Sequence, residues 1–395
     1  MNKLKSFGAA LVLLLVFVLI VNGLFERGSL KMDNRDFGFW FNAYKDMSYA
    51  ALSENMEKDT VLLLGSSEFR HGRKTAYYPR NMFRKSNFKL VSVGGPWNQT
   101  LFHTIALGSL EKKLKSRKVI LLVSPTWFKT DGVDSNGYAF RFSETEYIRF
   151  MENKDIPDEV KKYVANRTES LLRPSLDKYT QVRLINRNLL HNSRDPVTRT
   201  LFLMEKRKAD RRDYAAVSMA MKAMKLDLPV SGAAGAEPPH EPMPSNDWGG
   251  IMTNAINASG RRSNNPFYMS DRSWKQKYRK IYRSGRSKFG RKTDVNSPEF
   301  GDYEAFLKIC RANHIDAKII VLPVNGRWYD YIGTTKAIRK QTTDKIIRLG
   351  KKYGVETSDL SKFDYENFVT RDAQHPWNVG WVLIDEQIYN FCKEN

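Results

Sequence analysis

Val61-Leu62-Leu63-Leu64-Gly65-Ser66-Ser67-Glu68-Phe69 is the stretch whose reading decides the fold. A short apolar run that stops at Gly-Ser-Ser is how an α/β sheet presents a hydroxyl at the carboxyl end of a buried strand. Two more apolar runs follow, at Lys89–Val93 and Lys118–Val123, and between them Leu101, Ile105, Ala106, Leu110 and Leu114 recur at helical spacing. Strand, helix, strand in that order predicts a parallel sheet. The same rhythm returns near Pro298, with a helix over 303–312, a strand over 317–322, a long helix over 335–353, a short strand over 355–357 and a last helix over 378–392. Between the two halves, helical stretches (144–152 and 213–225) alternate with a Gly-, Ala-, Pro- and Ser-rich segment, 229–250, which reads as an exposed loop. The expectation is an α/β sheet core built from about 57–130 and 298–395, interrupted by a largely helical insertion at about 131–297.

Far along the chain stands Asp372-Ala373-Gln374-His375, just before the last predicted helix. A serine is a poor nucleophile until a histidine takes its proton and a carboxylate fixes that histidine's tautomer. Each half alone has a bland reading, since Gly-Ser ends many strands and Asp starts many helices. Together they point to acyl transfer, with Ser67 as nucleophile, His375 as general base and then acid, and Asp372 orienting the imidazole.

The long apolar run at 7–25 would span roughly 28 Å as a helix, about one bilayer core. Lys3 and Lys5 precede it, so the positive-inside bias puts the N-terminus in the cytoplasm and the body outside. Residues 1–30 are thus expected to be a cytoplasmic stub and transmembrane anchor, and 31–395 an extracellular domain. A cleaved signal peptide competes, with Val21-Asn22-Gly23 as a poor cleavage site, but the run exceeds a usual signal core.

The formal net charge is +22. That balance suits a polyanion. Outside a membrane the polyanions are anionic headgroups and phosphate-rich wall polymers, and nucleic acid is excluded by the expected topology. The segment 272–292 carries Trp274, Tyr278 and Tyr282 every four residues among many Lys and Arg, which predicts an amphipathic helix with a basic face. A similar run at 205–212 is diluted by acids. The two cysteines, Cys310 and Cys392, leave both a disulfide and two buried thiols open. No Cys/His cluster has metal spacing, so neither metal nor cofactor is expected.

The serine after the first strand and the late Asp-x-x-His resemble the SGNH hydrolase superfamily. A closer resemblance is to the DltD family, membrane-anchored proteins of teichoic acid D-alanylation. It runs through Gly65-Ser66-Ser67-Glu68-Phe69, Ser92-Val93-Gly94-Gly95, Val123-Ser124-Pro125-Thr126-Trp127-Phe128, the distinctive Leu322-Pro323-Val324-Asn325-Gly326-Arg327-Trp328-Tyr329-Asp330-Tyr331, and Asp372 through Trp381. The resemblance implies an SGNH/flavodoxin-like three-layer sandwich and an extracytoplasmic protein that helps place D-alanyl esters on lipoteichoic acid, a poly-glycerolphosphate. It also implies two partners, a polytopic membrane O-acyltransferase and a D-alanyl carrier protein.

The superfamily's Gly-x-Asn-Asp block is absent here, and Ser66 stands where most members carry aspartate. Oxyanion donors must then be backbone N–H groups, of Ser67 and of Gly94 or Gly95, helped by Asn98. Glu68 either faces solvent at a helix start or pairs with the ammonium of a D-alanyl group. Trp127, Trp328, Tyr329, Tyr331 and Trp377 either pack in the core or line a groove at the strands' carboxyl ends. Two rival functions share these residues: an esterase or thioesterase, and a non-catalytic component that presents the polymer to a membrane enzyme.

Overall fold

The computed structural model describes residues 2–24, 29–32, 37–223, 247–285 and 293–393. Five strands form one parallel sheet: β1 (Thr60–Leu64), β2 (Lys89–Val93), β3 (Lys118–Val123), β4 (Asp316–Val321) and β5 (Glu356–Asp359). Their order is β2-β1-β3-β4-β5. The chain crosses from β2 back over β1 to β3, and such a reversal opens a crevice at the carboxyl ends of the strands on either side of it. Leu64, beside Val93 and Leu121 in register, delivers the following turn to that crevice.

The strands read as unbroken apolar runs because both faces of the sheet are covered. Leu62, Leu64, Val91, Val119, Leu121 and Ile319 point into one core, while Val61, Leu63, Leu90, Ile120, Leu122 and Ile320 point into the other. The N-terminal helix α1 (Asn2–Leu24) precedes the sheet. On the first face lie α2 (Thr100–Leu110), buried on every side, and the insertion's long α3 (Pro196–Ala223) through Phe202 and Val217. The second face is covered by α4 (Trp248–Gly260) through Ala255 and by the terminal helix. Next in the chain are α5 (Glu299–Ala312), on the first face, α6 (Lys336–Lys352), and the terminal α7 (Asn378–Lys393). The insertion therefore reaches both faces of the sheet.

Several expected bounds shift. The helix read at 303 begins at Glu299, and the short strand is displaced to 356–359. The stretch read at 213–225 is, up to Ala223, the end of the 28-residue α3, whose sparse buried positions (Thr198, Phe202, Ala209, Val217, Met221) leave a weak apolar period, and 224–225 lie outside the described residues. The loop read at 229–250 falls outside the described residues up to 246, and from Trp248 it is helix. Three cations of the diluted basic run at 205–212 are paired: Arg212 contacts Glu144, Lys206 contacts Glu152 and Lys208 lies 3.0 Å from Glu205, while Asp210 accepts from Arg149 at 2.7 Å.

Cys310 packs in the first core and Cys392 in the second, on opposite faces of the sheet, and both are free thiols. Burial raises both thiols, that of Cys392 to about 12. In α1 the side chains described at 5–14 and 16–17 are exposed. Among the described residues no helix is long and apolar enough to cross a membrane.

A third apolar cluster stands apart. Phe267, Trp274 and Tyr278 of the insertion pack on Val324, Trp328 and Ile332, which follow β4, and on Ala373. Of the predicted aromatic stripe, Trp274 and Tyr278 form the buried side of this segment while Tyr282 is 41% exposed, and Lys275, Lys277, Arg279 and Lys280 are exposed; its remainder, 286–292, lies outside the described residues.

Candidate active site

The Gly65 N–H still bonds to Val93 O at 3.1 Å, so the turn leaves the sheet only at Ser66. The Ser66 hydroxyl then donates to Gly95 O at 3.0 Å, tying this turn to the one after β2. Ser67 opens a single 3₁₀ turn, Ser67–Arg70. That turn is fastened from behind, because Tyr78 donates its hydroxyl to Phe69 O at 2.9 Å and the Trp381 indole donates to His71 O at 3.1 Å. Gly72 follows with φ +80°, and a side chain there would also meet the Trp381 ring at 2.7 Å.

The opposing turn has its own brace. Thr370 and Pro376 form an antiparallel bridge, and Arg371 N–H bonds to His375 O at 2.9 Å. Asn325 N–H holds Ala373 O at 2.9 Å, while the Asn325 side chain accepts from Trp328 N–H at 3.0 Å and donates to Phe267 O at 2.9 Å. The Pro-Val-Asn-Gly stretch, singled out in the sequence for its aromatics, acts through this asparagine. The insertion adds a contact of its own: Tyr278, on one turn of π-helix (Trp274–Tyr278), accepts from Ala373 N–H at 3.3 Å.

The two turns bring Ser67, His375 and Asp372 into one row. Ser67 Oγ is 2.8 Å from His375 Nε2, and His375 Nδ1 is 2.9 Å from Asp372 Oδ2. Asp372 Oδ1 also accepts the N–H groups of Gln374 and His375 at 3.0 and 2.9 Å. Burial alone would raise this carboxyl, but the His375 ring N–H and those two amides hold it down at about 2. An ionised Asp372 keeps the proton on Nδ1 and leaves the Nε2 lone pair for the serine hydroxyl.

A residue that sequence reading missed joins them. The His71 ring lies 4.0 Å from that of His375, centroid to centroid. Burial, and then the charge of His375, push its pKa down to about 4, so it is neutral near pH 7. Its only signal in the sequence is position, four residues after Ser67 at the end of one short turn. His71, Asp372 and His375 offer ligand atoms within 4.8 Å of one another, close enough to share a cation, although the Asp372 carboxylate is already engaged by His375.

The expected oxyanion donors divide. Gly94 N–H is directed at the buried Asp46 carboxylate, so Gly94 is corrected from donor to framework. A side chain at Gly94 would meet Gly65 O at 2.0 Å, which is the reason for glycine there. Beneath this loop Lys45 donates to Ser92 O at 2.6 Å, and Arg141 donates to Pro96 O at 3.0 Å and faces Gly95. Among the described residues, the Ser67 and Gly95 N–H groups make no hydrogen bond. The Asn98 amide is buried, and neither of its polar atoms has a partner there.

A cavity of about 490 Å³ opens over His375. Its wall includes His71, Gln276, Lys277, Tyr278, Trp328 and Tyr329. Of the aromatics proposed as ligand contacts, Trp328 therefore lines the cleft, and Trp377 lines an adjoining lobe. Trp127 is corrected to a member of the first core, and Tyr331 to a packing residue whose hydroxyl donates to Tyr282 O at 2.9 Å. Glu68 neither faces solvent nor enters the cleft. It is 3% exposed and folds back to accept Ser66 N–H at 2.6 Å, and burial raises its pKa against that bond. A cavity of about 810 Å³ elsewhere, between insertion helices, has no member of the row in its wall.

Comparison with known proteins agrees with this geometry in extent. The family described as DltD protein matches residues 39–393, from ahead of β1 to the end of α7. Protein DltD of Bacillus subtilis (strain 168) is 26% identical over 354 residues, covering 87% of this chain and 85% of its own. Protein DltD of Staphylococcus aureus (strain NCTC 8325 / PS 47) is 28% identical over 343 residues, covering 84% and 80%. Protein DltD of Lacticaseibacillus rhamnosus is 21% identical over 355 residues, covering 86% and 79%. A match that takes in the whole sheet, the insertion and both turns of the site means that this chain belongs to the DltD family.

Proposed function

We propose that this protein is a serine acyltransferase of teichoic acid D-alanylation, held at the membrane through its apolar run at 7–25 with the α/β domain outside. Ser67 Oγ attacks the carbonyl of a D-alanyl ester or thioester and gives its proton to His375 Nε2. The tetrahedral oxyanion faces the free N–H groups of Ser67 and Gly95. Collapse expels the donor's leaving group, which takes the proton from His375 and leaves an acyl-serine. A glycerol hydroxyl of lipoteichoic acid then gives its proton to His375 and attacks the acyl group, and the proton returns to Ser67. The membrane O-acyltransferase and D-alanyl carrier protein implied by the family would supply the aminoacyl group. Tethering to the same surface as a lipid-linked acceptor raises the effective concentration of each for the other.

The observation that carries this reading is the 2.8 Å approach of Ser67 Oγ to His375 Nε2 across 308 residues of sequence. A scaffold without chemistry has no use for that contact or for a carboxylate held at about 2 behind it. An esterase is the same machinery with water as acceptor. A fluorophosphonate probe should label Ser67, and His375→Ala should abolish the labelling. In cells, Ser67→Ala at normal protein level should deplete teichoic D-alanyl esters. Unchanged ester content would remove the catalytic role.

A further inference from the structure

A second lobe of about 940 Å³ adjoins the cleft over His375, the two sharing Arg371 in their walls. The dividing wall is shared by alternation along the chain: Arg70, Arg73 and Lys74 face the lobe, His71 faces the cleft, and Arg371 lines both. Arg262 and Arg272 of the insertion face them across the lobe. These six cations, joined in the wall by Arg80, meet one lining carboxylate, Asp271, which is itself occupied by Asn264 N–H at 2.8 Å. Among the described residues none of the six forms an ion pair, and Arg371 Nε is buried with no acceptor. Arg339, by contrast, is held by Asp364 at 3.1 Å and Asp330 at 2.8 Å. Unpaired guanidinium groups gathered in a concave site create a positive potential that an anion relieves. Their planar forks match the two free oxygens of a phosphodiester. Arg371 is also one residue from Asp372, with its N–H on His375 O at 2.9 Å. An anion on Arg371 is therefore a short linker away from the catalytic base.

We infer that this lobe is a phosphodiester subsite: it binds a glycerol-phosphodiester and so aims the adjoining glycerol hydroxyl at His375. The inference rests on the acyl-transfer reading above and adds to it the site that holds the acceptor. A polymer repeat and a phosphatidylglycerol headgroup share this chemistry, so the test has two arms. The full chain in phosphatidylcholine nanodiscs is titrated with lipid-free glycerol-phosphate oligomer at 50 and 200 mM salt, and separately bound to phosphatidylglycerol vesicles. Arg262→Glu with Arg272→Glu, both exposed side chains, should weaken binding about ten-fold or more and flatten the salt dependence by about two counterions. Arg371→Gln should weaken it as well, with partial rescue by Arg371→Lys, which a merely structural role would not produce. A loss with oligomer assigns the subsite to polymer, a loss with vesicles alone assigns it to lipid, and no loss in either arm overturns it. Probe labelling of Ser67 is scored independently. If labelling fails while charge reversal still weakens oligomer binding, the subsite stands and the acyl-serine falls.

Discussion

Two walls face each other across the cleft, and they are built on different principles. The nucleophile wall is a pair of turns at strand ends. Its Asp372 carboxylate and Asn325 amide each close a short hydrogen-bonded loop, and its Ser66 hydroxyl ties one strand-end turn to the next. The insertion wall (Ser273, Gln276, Lys277, Tyr278) bonds to the site through the Tyr278 hydroxyl and, at its foot, through Ser270 on Arg371 O at 3.0 Å, and the rest of it is held by aromatic packing of Trp274 and Tyr278 on Phe267 and Trp328. Chemistry needs atoms fixed to a few tenths of an ångström, and hydrogen-bonded turns supply that. Accommodating an acceptor needs a shaped and charged surface, and a packed insertion supplies that instead. One molecule thus separates the reaction from the recognition of what is acylated.

The comparison can be broken at four places. Asp372→Asn should have the largest effect, because the amide still accepts a backbone N–H while the His375 tautomer reverses. Turnover should fall by about 10³–10⁴-fold with little change in the melting temperature. Trp274→Ala strikes the other wall, where losing a buried indole should cost about 3–5 kcal/mol of stability, read by denaturant titration. Ser67 labelling should persist in that variant at permissive temperature, and its loss would mean that the two walls are not separable. Tyr278→Phe removes one of the hydrogen bonds joining them, beside those of Ser270 to Arg371 O and of Asn325 to Phe267 O, and it should cost about 1 kcal/mol, seen as a several-fold fall in turnover.

The smallest effect concerns pH. The His71 imidazole binds a proton near 6.5 when unfolded but only near about 4 when folded. The unfolded chain therefore holds more protons between those values, and stability falls as pH drops through that window. His71→Gln should flatten that slope, measured by denaturant titration at pH 4.5 and 7. An unaltered slope would show that His71 is not the group responsible.

The nucleophile wall was legible in the sequence and the insertion wall was not, for a physical reason. Leu62 to Leu64 and Val119 to Val123 are buried on two faces, so their apolar runs are continuous, and a turn must follow such a run. Asp372 and His375 are three apart because a single turn brings both to one side. By contrast, the roles of Asn325, His71 and Tyr278 depend on which backbone atom lies beside them, and that is set by packing between distant segments. Glu68 was misread because the local pattern of a helix start does not reveal that the carboxylate turns back onto Ser66 N–H. Gly94 was misread for the same reason, since its amide direction is set by Asp46, nearly fifty residues upstream. The basic groove was visible only as net charge and, through Arg272, as one end of the basic segment 272–292. Arg70, Arg262 and Arg371 come from three separate segments, and no spacing rule unites them.

The placement of the two thiols has a practical consequence. Cys310 and Cys392 sit on opposite sides of a five-stranded sheet, each sealed in apolar packing, so no cross-link between them is compatible with the native state. Folding thus needs no disulfide oxidation, and the stability should be the same in the presence of dithiothreitol as in air. The domain can therefore be produced in a reducing cytosol, with its thiols silent toward maleimides until it unfolds, which makes thiol alkylation a ready gauge of unfolding.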